Sequence, residues 1–169
     1  LWQNRERYLD TYWNKIPGLW VHGDWASRDA QGLWYVHGRS DDTINVAGKR
    51  TGPAEIESLL LNTGRIAEAA VIGVPDEIKG SAIVCVVVAV AGEEASDELR
   101  GALSSAVVAG LGNPFRPRQI VFVGDLPKTR NMKIMRRVVR AVYTGQDPGD
   151  LASLVNPEAV EGLKAVLEG

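Results

Sequence analysis

Apolar and polar positions along the chain change period several times, and each change marks an element. Residues 4–13 predict a short helix, Pro17-Gly18 a turn, and residues 19–21, 25–28 and 33–37 strands. The last two strands are joined through Asp29-Ala30-Gln31-Gly32, a hairpin signal in which the glycine supplies positive φ. Residues 43–46 and 49–51 predict a small antiparallel pair bent at Gly48. Gly52-Pro53 then opens a helix, with Pro53 at the first helical position, Glu55 and Glu57 favoured by the helix dipole, and Ile56, Leu59 and Leu60 on one face. That helix is expected to end near Asn62-Thr63-Gly64.

Residues 66–74 read as a strand, 75–80 as a turn, and 81–90 as a strand apolar on both faces, which predicts the centre of a sheet. Ser96, followed by Asp97 and Glu98, opens a helix whose Leu99, Leu103, Ala106 and Val107 keep helical spacing until Gly110 and Gly112. Residues 119–123 add a strand. Beyond them Lys133, Arg136, Arg137 and Arg140 share one helical face, with Met135, Val138, Val139 and Val142 opposite, and this predicts an amphipathic helix whose arginines are solvated. Residues 145–150 read as a linker, and Asn156-Pro157-Glu158 as the cap of a last helix carrying Val160, Leu163 and Leu167. The fold class expected is α+β: a central three-stranded sheet flanked by helices, a two-stranded hairpin, and strands preceding both.

Composition narrows the chemistry. With 169 residues, 45% hydrophobic and 24% charged, the chain can bury a core, and a net charge of −2 gives no general case for nucleic acid or an anionic membrane. The charge is uneven, however: six of the 19 basic residues lie between Lys128 and Arg140, where no acidic residue occurs, so 13 remain against 21 acidic ones. The one cysteine, Cys85, lies in an apolar run and reads as a small buried hydrophobe. His22 and His37 stand too far apart and unaccompanied to suggest a metal site. No secretory pattern opens the chain and no apolar run is long enough to span a bilayer, so a cytoplasmic address is the default expectation.

Three separated motifs carry a resemblance. His22-Gly23-Asp24 comes first; Gly38-Arg39-Ser40-Asp41-Asp42, Gly48-Lys49-Arg50 and Pro53-Ala54-Glu55-Ile56-Glu57 follow in one stretch; and Leu126-Pro127-Lys128-Thr129-Arg130-Asn131-Met132-Lys133-Ile134-Met135-Arg136-Arg137 is last. In this order they resemble the AMP-forming acyl-CoA synthetases, the acetate-CoA ligase branch of the adenylate-forming enzymes, over roughly residues 20–157. The chain begins at Leu1 within aromatic-rich sequence, and the resemblance implies a C-terminal portion preceded by a large domain that carries the phosphate-binding loop, the acid pocket and any metal ligands. It implies residues 1–40 as the end of that domain, 41–145 as a small mobile C-terminal domain, and 146–169 as linker and terminal helix.

The resemblance also implies roles. Asp24 would accept hydrogen bonds from both ribose hydroxyls of the adenylate, Arg39 would contact its ribose and phosphate side, and Arg50 the nucleotide phosphate. Asp41 matches the hinge, Gly48 lies beside the pantetheine tunnel, and Lys133 is the catalytic lysine of adenylation and a target of acetylation. The substrates implied are a short carboxylic acid such as acetate, ATP as Mg-ATP, and CoA; the implied partners are the chain's own N-terminal domain, a lysine acetyltransferase and a deacetylase. Alone, the fragment is expected to be inactive in the full reaction. Two departures stand out: Asn131-Met132 replaces a Ser-Gly, which is expected to stiffen the lysine loop, and Ala106-Val107-Val108-Ala109 lacks the basic residue that meets the CoA 3'-phosphate, leaving Arg116 and Arg118 as substitutes. The alternatives are another acid (propionate or longer), a carrier-protein thiol as acceptor and, most remotely, a small nucleic-acid-binding module built on the basic helix.

Overall fold

Asn4 sets the first helix: its side chain accepts the Arg7 N–H at 3.0 Å and opens α1 (Arg5–Tyr12). The structure is a computed structural model that describes residues 3–40 and 42–169, and the chain divides into two units, Leu1–Asp41 and Asp42–Gly169. In the first unit the expected strand at 19–21 does not form. The Val21 N–H instead donates to Tyr12 O at 2.8 Å, and Trp20 stacks on Tyr12 with ring centroids 5.4 Å apart, so the segment folds back against the end of α1 and has no strand partner. The expected hairpin does form, from β1 (Asp24–Arg28) and β2 (Trp34–Arg39), which are antiparallel. Its turn is built on Asp29, whose Oδ1 accepts the Gln31 and Leu33 N–H groups and whose Oδ2 accepts the Tyr35 hydroxyl. These bonds, led by that from Leu33, hold the Asp29 carboxyl below its usual range.

The second unit is α+β, as the pattern predicts. β3 (Ile44–Val46) and β4 (Lys49–Thr51) form an antiparallel hairpin, followed by α2 (Pro53–Leu61). β5 (Ile66–Asp76) and β6 (Gly80–Ala89) are antiparallel, and β7 (Gln119–Phe122) joins β6 in parallel, giving the sheet order β5-β6-β7. β6 is the centre. The turn between β5 and β6 is tighter than 75–80: Pro75 and Asp76 stay paired, and Asp76 Oδ1 closes the bend by accepting the Ile78 and Lys79 N–H groups. α3 (Asp97–Leu111), capped by Ser96, precedes β7; α4 (Arg136–Tyr143) and α5 (Pro157–Glu168) follow it.

The two-faced hydrophobicity of β6 now has its physical reason. Ile83, Cys85 and Val87 pack with Ile56 and Leu60 of α2 and Leu99, Leu103 and Val107 of α3. Val84 and Val86 point the other way, onto Val138, Val139 and Val142 of α4 and Val160 and Leu163 of α5. One strand therefore serves two cores. Burial drives the Cys85 thiol pKa far up, with the nearby Glu57 charge adding to it, so the thiol is an inert packing group.

The basic face of α4 is only partly solvated: Arg137 and Arg140 are exposed, whereas Arg136 is half-buried. Arg136 reaches back to α2 and donates to both oxygens of Glu57, at 2.6 and 2.5 Å, while Glu57 Oε1 also accepts the Val71 N–H of β5 at 2.9 Å. Glu57 is buried at 7% exposure, so its charge is retained through these partners. The Glu57 bonds, working against burial, raise the Arg136 pKa. Arg137 grips the carbonyls of Pro148 and Asp150, which ties the 145–150 segment to α4. Only Arg140 keeps the expected exposure without a side-chain partner among the described residues. Removing one member of a buried pair strands the other, so Arg136→Ala is expected to lower the unfolding free energy by about 3 kcal/mol, read as a lower urea midpoint with an unchanged slope.

Candidate functional site

In the first unit the β1–β2 register sets Asp24 opposite Arg39. Gly23, at φ +87°, lets the arginine fold over the backbone: a Cβ there would lie 3.0 Å from Arg39 Nη2. Arg39 Nη1 donates to His22 O at 3.2 Å and stands 3.9 Å from Asp24 Oδ1, and His22 Nδ1 pairs with Asp24 Oδ2. The Asp24 carboxylate is a quarter exposed, and its two oxygens face two different cations or donors. Two of the three residues expected at the nucleotide, Asp24 and Arg39, thus stand together, with His22 as a further partner.

Gly48 and Arg50 share the β3–β4 hairpin of the second unit. Ala47 and Gly48 both have positive φ, 49° and 80°, the two-residue turn that matches the twist of a hairpin. The Ala47 N–H donates to Lys79 O at 2.9 Å, which rests the turn on the β5–β6 bend. A Cβ on Gly48 would meet no atom within 4 Å, so the glycine is required by backbone conformation and its outer side is open. Arg50 is exposed, opposite Asn45.

Lys133 lies on a second hairpin. Thr129 N–H donates to Lys133 O at 2.9 Å, Met132 N–H to Thr129 O at 2.8 Å, and Lys128 bridges Ile134. This is a type I turn followed by one left-handed residue, a loop whose third position ordinarily takes glycine. Met132 occupies that position at φ 58°, and the loop closes nonetheless. The departure from Ser-Gly therefore costs backbone strain and leaves the turn geometry intact. The lysine itself is exposed, and its ammonium makes no ion pair among the described residues.

Beneath the loop is a clamp that sequence reading missed. Lys128 is buried; its ammonium lies 2.8 Å from Glu68 Oε2 and pairs with Asp125 Oδ1, while its N–H donates to Asn156 Oδ1 at 2.9 Å. Asn156 Nδ2 donates in turn to Asp125 Oδ2 and Leu126 O. Asn156 thus stands before α5 without making a side-chain cap, because its amide is spent on the lysine loop. Burial opposes ionisation of both groups, yet the hydrogen bonds from Lys128, Asn156 and the Leu126 N–H hold the Asp125 carboxyl below its usual range, and those to Asp125 and Glu68 raise Lys128. The motif order around Lys128 was legible; its partners, from β5 and from the segment before α5, were not.

Asp41, the expected hinge, lies outside the described residues. Among the described residues no group of three His, Cys, Asp or Glu suits a metal ion, and no helix is long and apolar enough to cross a membrane. Since a left-handed conformation costs a side-chain-bearing residue about 1 kcal/mol or more, Met132→Gly is expected to raise stability by up to about 1 kcal/mol, seen as a higher thermal midpoint.

Residues 55–133 match the AMP-binding enzyme C-terminal domain. The acetyl-coenzyme A synthetase of Pyrobaculum aerophilum is 45% identical over 99% of this chain, and that of Rubrobacter xylanophilus 46% identical over 97%. Among solved structures, acetoacetyl-CoA synthetase from Streptomyces lividans superposes with a TM-score of 0.85 at 25% identity, covering 99% of this chain and 26% of that one. The chain spans about a quarter of the length of these curated relatives, 25% and 26% respectively. Residues 55–133, from the first turn of α2 to Lys133, thus carry the AMP-binding enzyme C-terminal domain.

Proposed function

We propose that this chain is the C-terminal portion of an AMP-forming short-chain acyl-CoA synthetase, of the acetate-CoA ligase type. Residues 1–40 end the adenylation domain, residues 41–145 swing about Asp41, and residues 146–169 form the linker and terminal helix. The observation that carries this reading is Lys133: an exposed ammonium without an ion pair among the described residues, on a loop closed by two backbone hydrogen bonds and clamped from below by buried Lys128.

In the first half-reaction a carboxylate oxygen attacks the α-phosphorus of ATP and the bond to the bridging oxygen breaks, giving acyl-adenylate and pyrophosphate. Both reactants are anions, and negative charge concentrates between the entering and leaving oxygens. A fixed ammonium at that point stabilises the transition state more than the ground state. Lys133 supplies it. Asp24 accepts the two ribose hydroxyls, one per oxygen, displacing His22 from Oδ2; Arg39 and Arg50 meet the ribose and phosphates. Magnesium accompanies ATP, with its ligands in the preceding domain. In the second half-reaction the hairpin replaces the lysine loop, the thiol of CoA passes the open side of Gly48 and attacks the acyl carbonyl, and AMP leaves.

Names of relatives support acetate as the acid, with a short-chain homologue next in line. Acetylation of Lys133 by an acetyltransferase would neutralise the charge that the first step needs, and a deacetylase would restore it. The protein acts in the cytoplasm, on small molecules, with neither nucleic acid nor membrane as a partner. Lys133→Ala in the full-length protein is expected to cut acid-dependent ATP–pyrophosphate exchange on the order of a hundred- to a thousand-fold, with acetate the best acid of a panel, while thiolysis of preformed adenylate survives. Exchange untouched by the substitution would remove Lys133 from the chemistry.

A further inference from the structure

The stretch from which the lysine loop springs is held on two sides. On one side lies its own hairpin: Thr129 N–H donates to Lys133 O, Thr129 Oγ1 accepts the Lys133 N–H at 3.2 Å, and Lys128 bridges Ile134. On the other side the segment before α5 runs back along it. Thr129 forms an antiparallel bridge with Leu154, and the Val155 N–H donates to Lys128 O at 3.1 Å. Residues 128–129 are therefore the middle row of a miniature sheet whose outer rows are 133–134 and 154–155. A two-stranded hairpin alone is marginal in water, and a third row gives it a fixed place.

Asn156 locks that third row. It is 8% exposed; Oδ1 accepts the Lys128 N–H at 2.9 Å, and Nδ2 donates to Asp125 Oδ2 at 2.6 Å and to Leu126 O at 2.8 Å. The segment that carries it is itself anchored. Arg137 of α4 holds the carbonyls of Pro148 and Asp150, Leu151 and Leu154 pack against the core under the sheet, and Val160 and Leu163 of α5 are buried in it. The Lys133 ammonium makes no ion pair among the described residues, so the backbone that carries it sets where it can reach. Placement matters to a charge that acts on a transition state: a shift of about 1 Å can cost on the order of a hundredfold in rate.

We infer that Asn156 is a positioning residue for the first half-reaction, fixing residues 125–128 against the segment before α5 and thereby setting the height and direction of the Lys133 hairpin. The inference rests on the reading that Lys133 acts in adenylation. Thiol transfer does not depend on Asn156, because its side-chain bonds all go to residues 125, 126 and 128, whereas the β3–β4 hairpin that carries Gly48 rests on Lys79 O at the far end of β5 and β6.

The test uses the full-length protein and measures acid-dependent ATP–pyrophosphate exchange and thiolysis of preformed adenylate. Parent, Asn156→Ala, Asn156→Asp and Lys133→Ala are compared, together with each Asn156 substitution combined with Lys133→Ala. Asn156→Ala is expected to lower kcat for exchange by about tenfold or more, with KM for ATP and acid, and the rate of thiolysis, within twofold of the parent. Combined with Lys133→Ala it is expected to cost nothing further, leaving exchange within twofold of Lys133→Ala alone, because a residue that acts only through the ammonium has nothing left to position. Asn156→Asp keeps the volume and the acceptor for the Lys128 N–H but loses the donor to Leu126 O and sets a second carboxylate against Asp125. It is expected to lose several-fold in the same kcat, and it carries the test if the alanine variant fails to fold. Exchange within twofold of the parent in the folded variants, an equal fall in thiolysis, or a full further loss on top of Lys133→Ala would overturn the proposal. Exchange by Lys133→Ala at the parent's rate would instead overturn the reading of Lys133 beneath it.

Discussion

The ion pair between buried Glu57 and half-buried Arg136 fixes the geometry on which the second unit depends. Glu57 belongs to the helix that leaves the β3–β4 hairpin, and Arg136 to the helix that leaves the lysine loop. Their two hydrogen bonds, together with the third from Val71 N–H of the sheet, join both helix starts and the sheet at one buried point. Gly48 and Arg50 are thereby held at a set position relative to Lys133 within a single body. Such a pair contributes less to net stability than a hydrophobic replacement would, because both charges are desolvated, but it tolerates little displacement. Arg136 Nη1 also lies 3.8 Å from Asp42, so the same guanidinium faces the first described residue of the unit. A domain proposed to present two different edges to one substrate needs this property: the edges must travel together.

Below Lys133 the same logic recurs with other residues. Lys128, Glu68, Asp125 and Asn156 link the loop to β5 and to the segment before α5, and Val160 and Leu163 of α5 are packed in the core under the sheet. The terminal helix therefore supports the lysine loop from outside the matched residues 55–133. One lysine of the motif is structural and buried, and the other, five residues on, is exposed on a tight turn. Burial and partners separate two residues of the same type into different jobs.

Periodicity and local turn chemistry made most of the second unit legible. The two-faced strand at the sheet centre, the Ser96 cap, the hairpin bent at Gly48 and the apolar side of α4 all follow from neighbours close in sequence. What escaped was long-range. Glu57 reads as a dipole-favoured carboxylate from its place in the first turns of α2, and nothing nearby points to a partner 79 residues away. Arg136 and Arg137 fall on the polar side of a helical wheel, which cannot distinguish water from a carboxylate or a pair of carbonyls as their partner. Asn156 has the residue type of a cap, and the competing donor and acceptors come from residues 125–128. The strand expected at 19–21 lost to aromatic stacking on α1, a contact that alternation does not encode. Met132 is the converse case: its type argued against the loop, and the surrounding hydrogen bonds imposed the left-handed conformation regardless.

The central claim is that residues after Asp41 move as one body between an adenylating and a thiol-transferring arrangement. It is tested most directly by the distance between spin labels at Ser27 and Ala165 in the full-length protein, measured with an acyl-adenylate analogue and again with AMP and CoA. Two distinct distances, exchanged in population by the two ligand sets, are the expected result. One distance, unchanged by either ligand set, would contradict the swing and require both half-reactions to be served from a single arrangement.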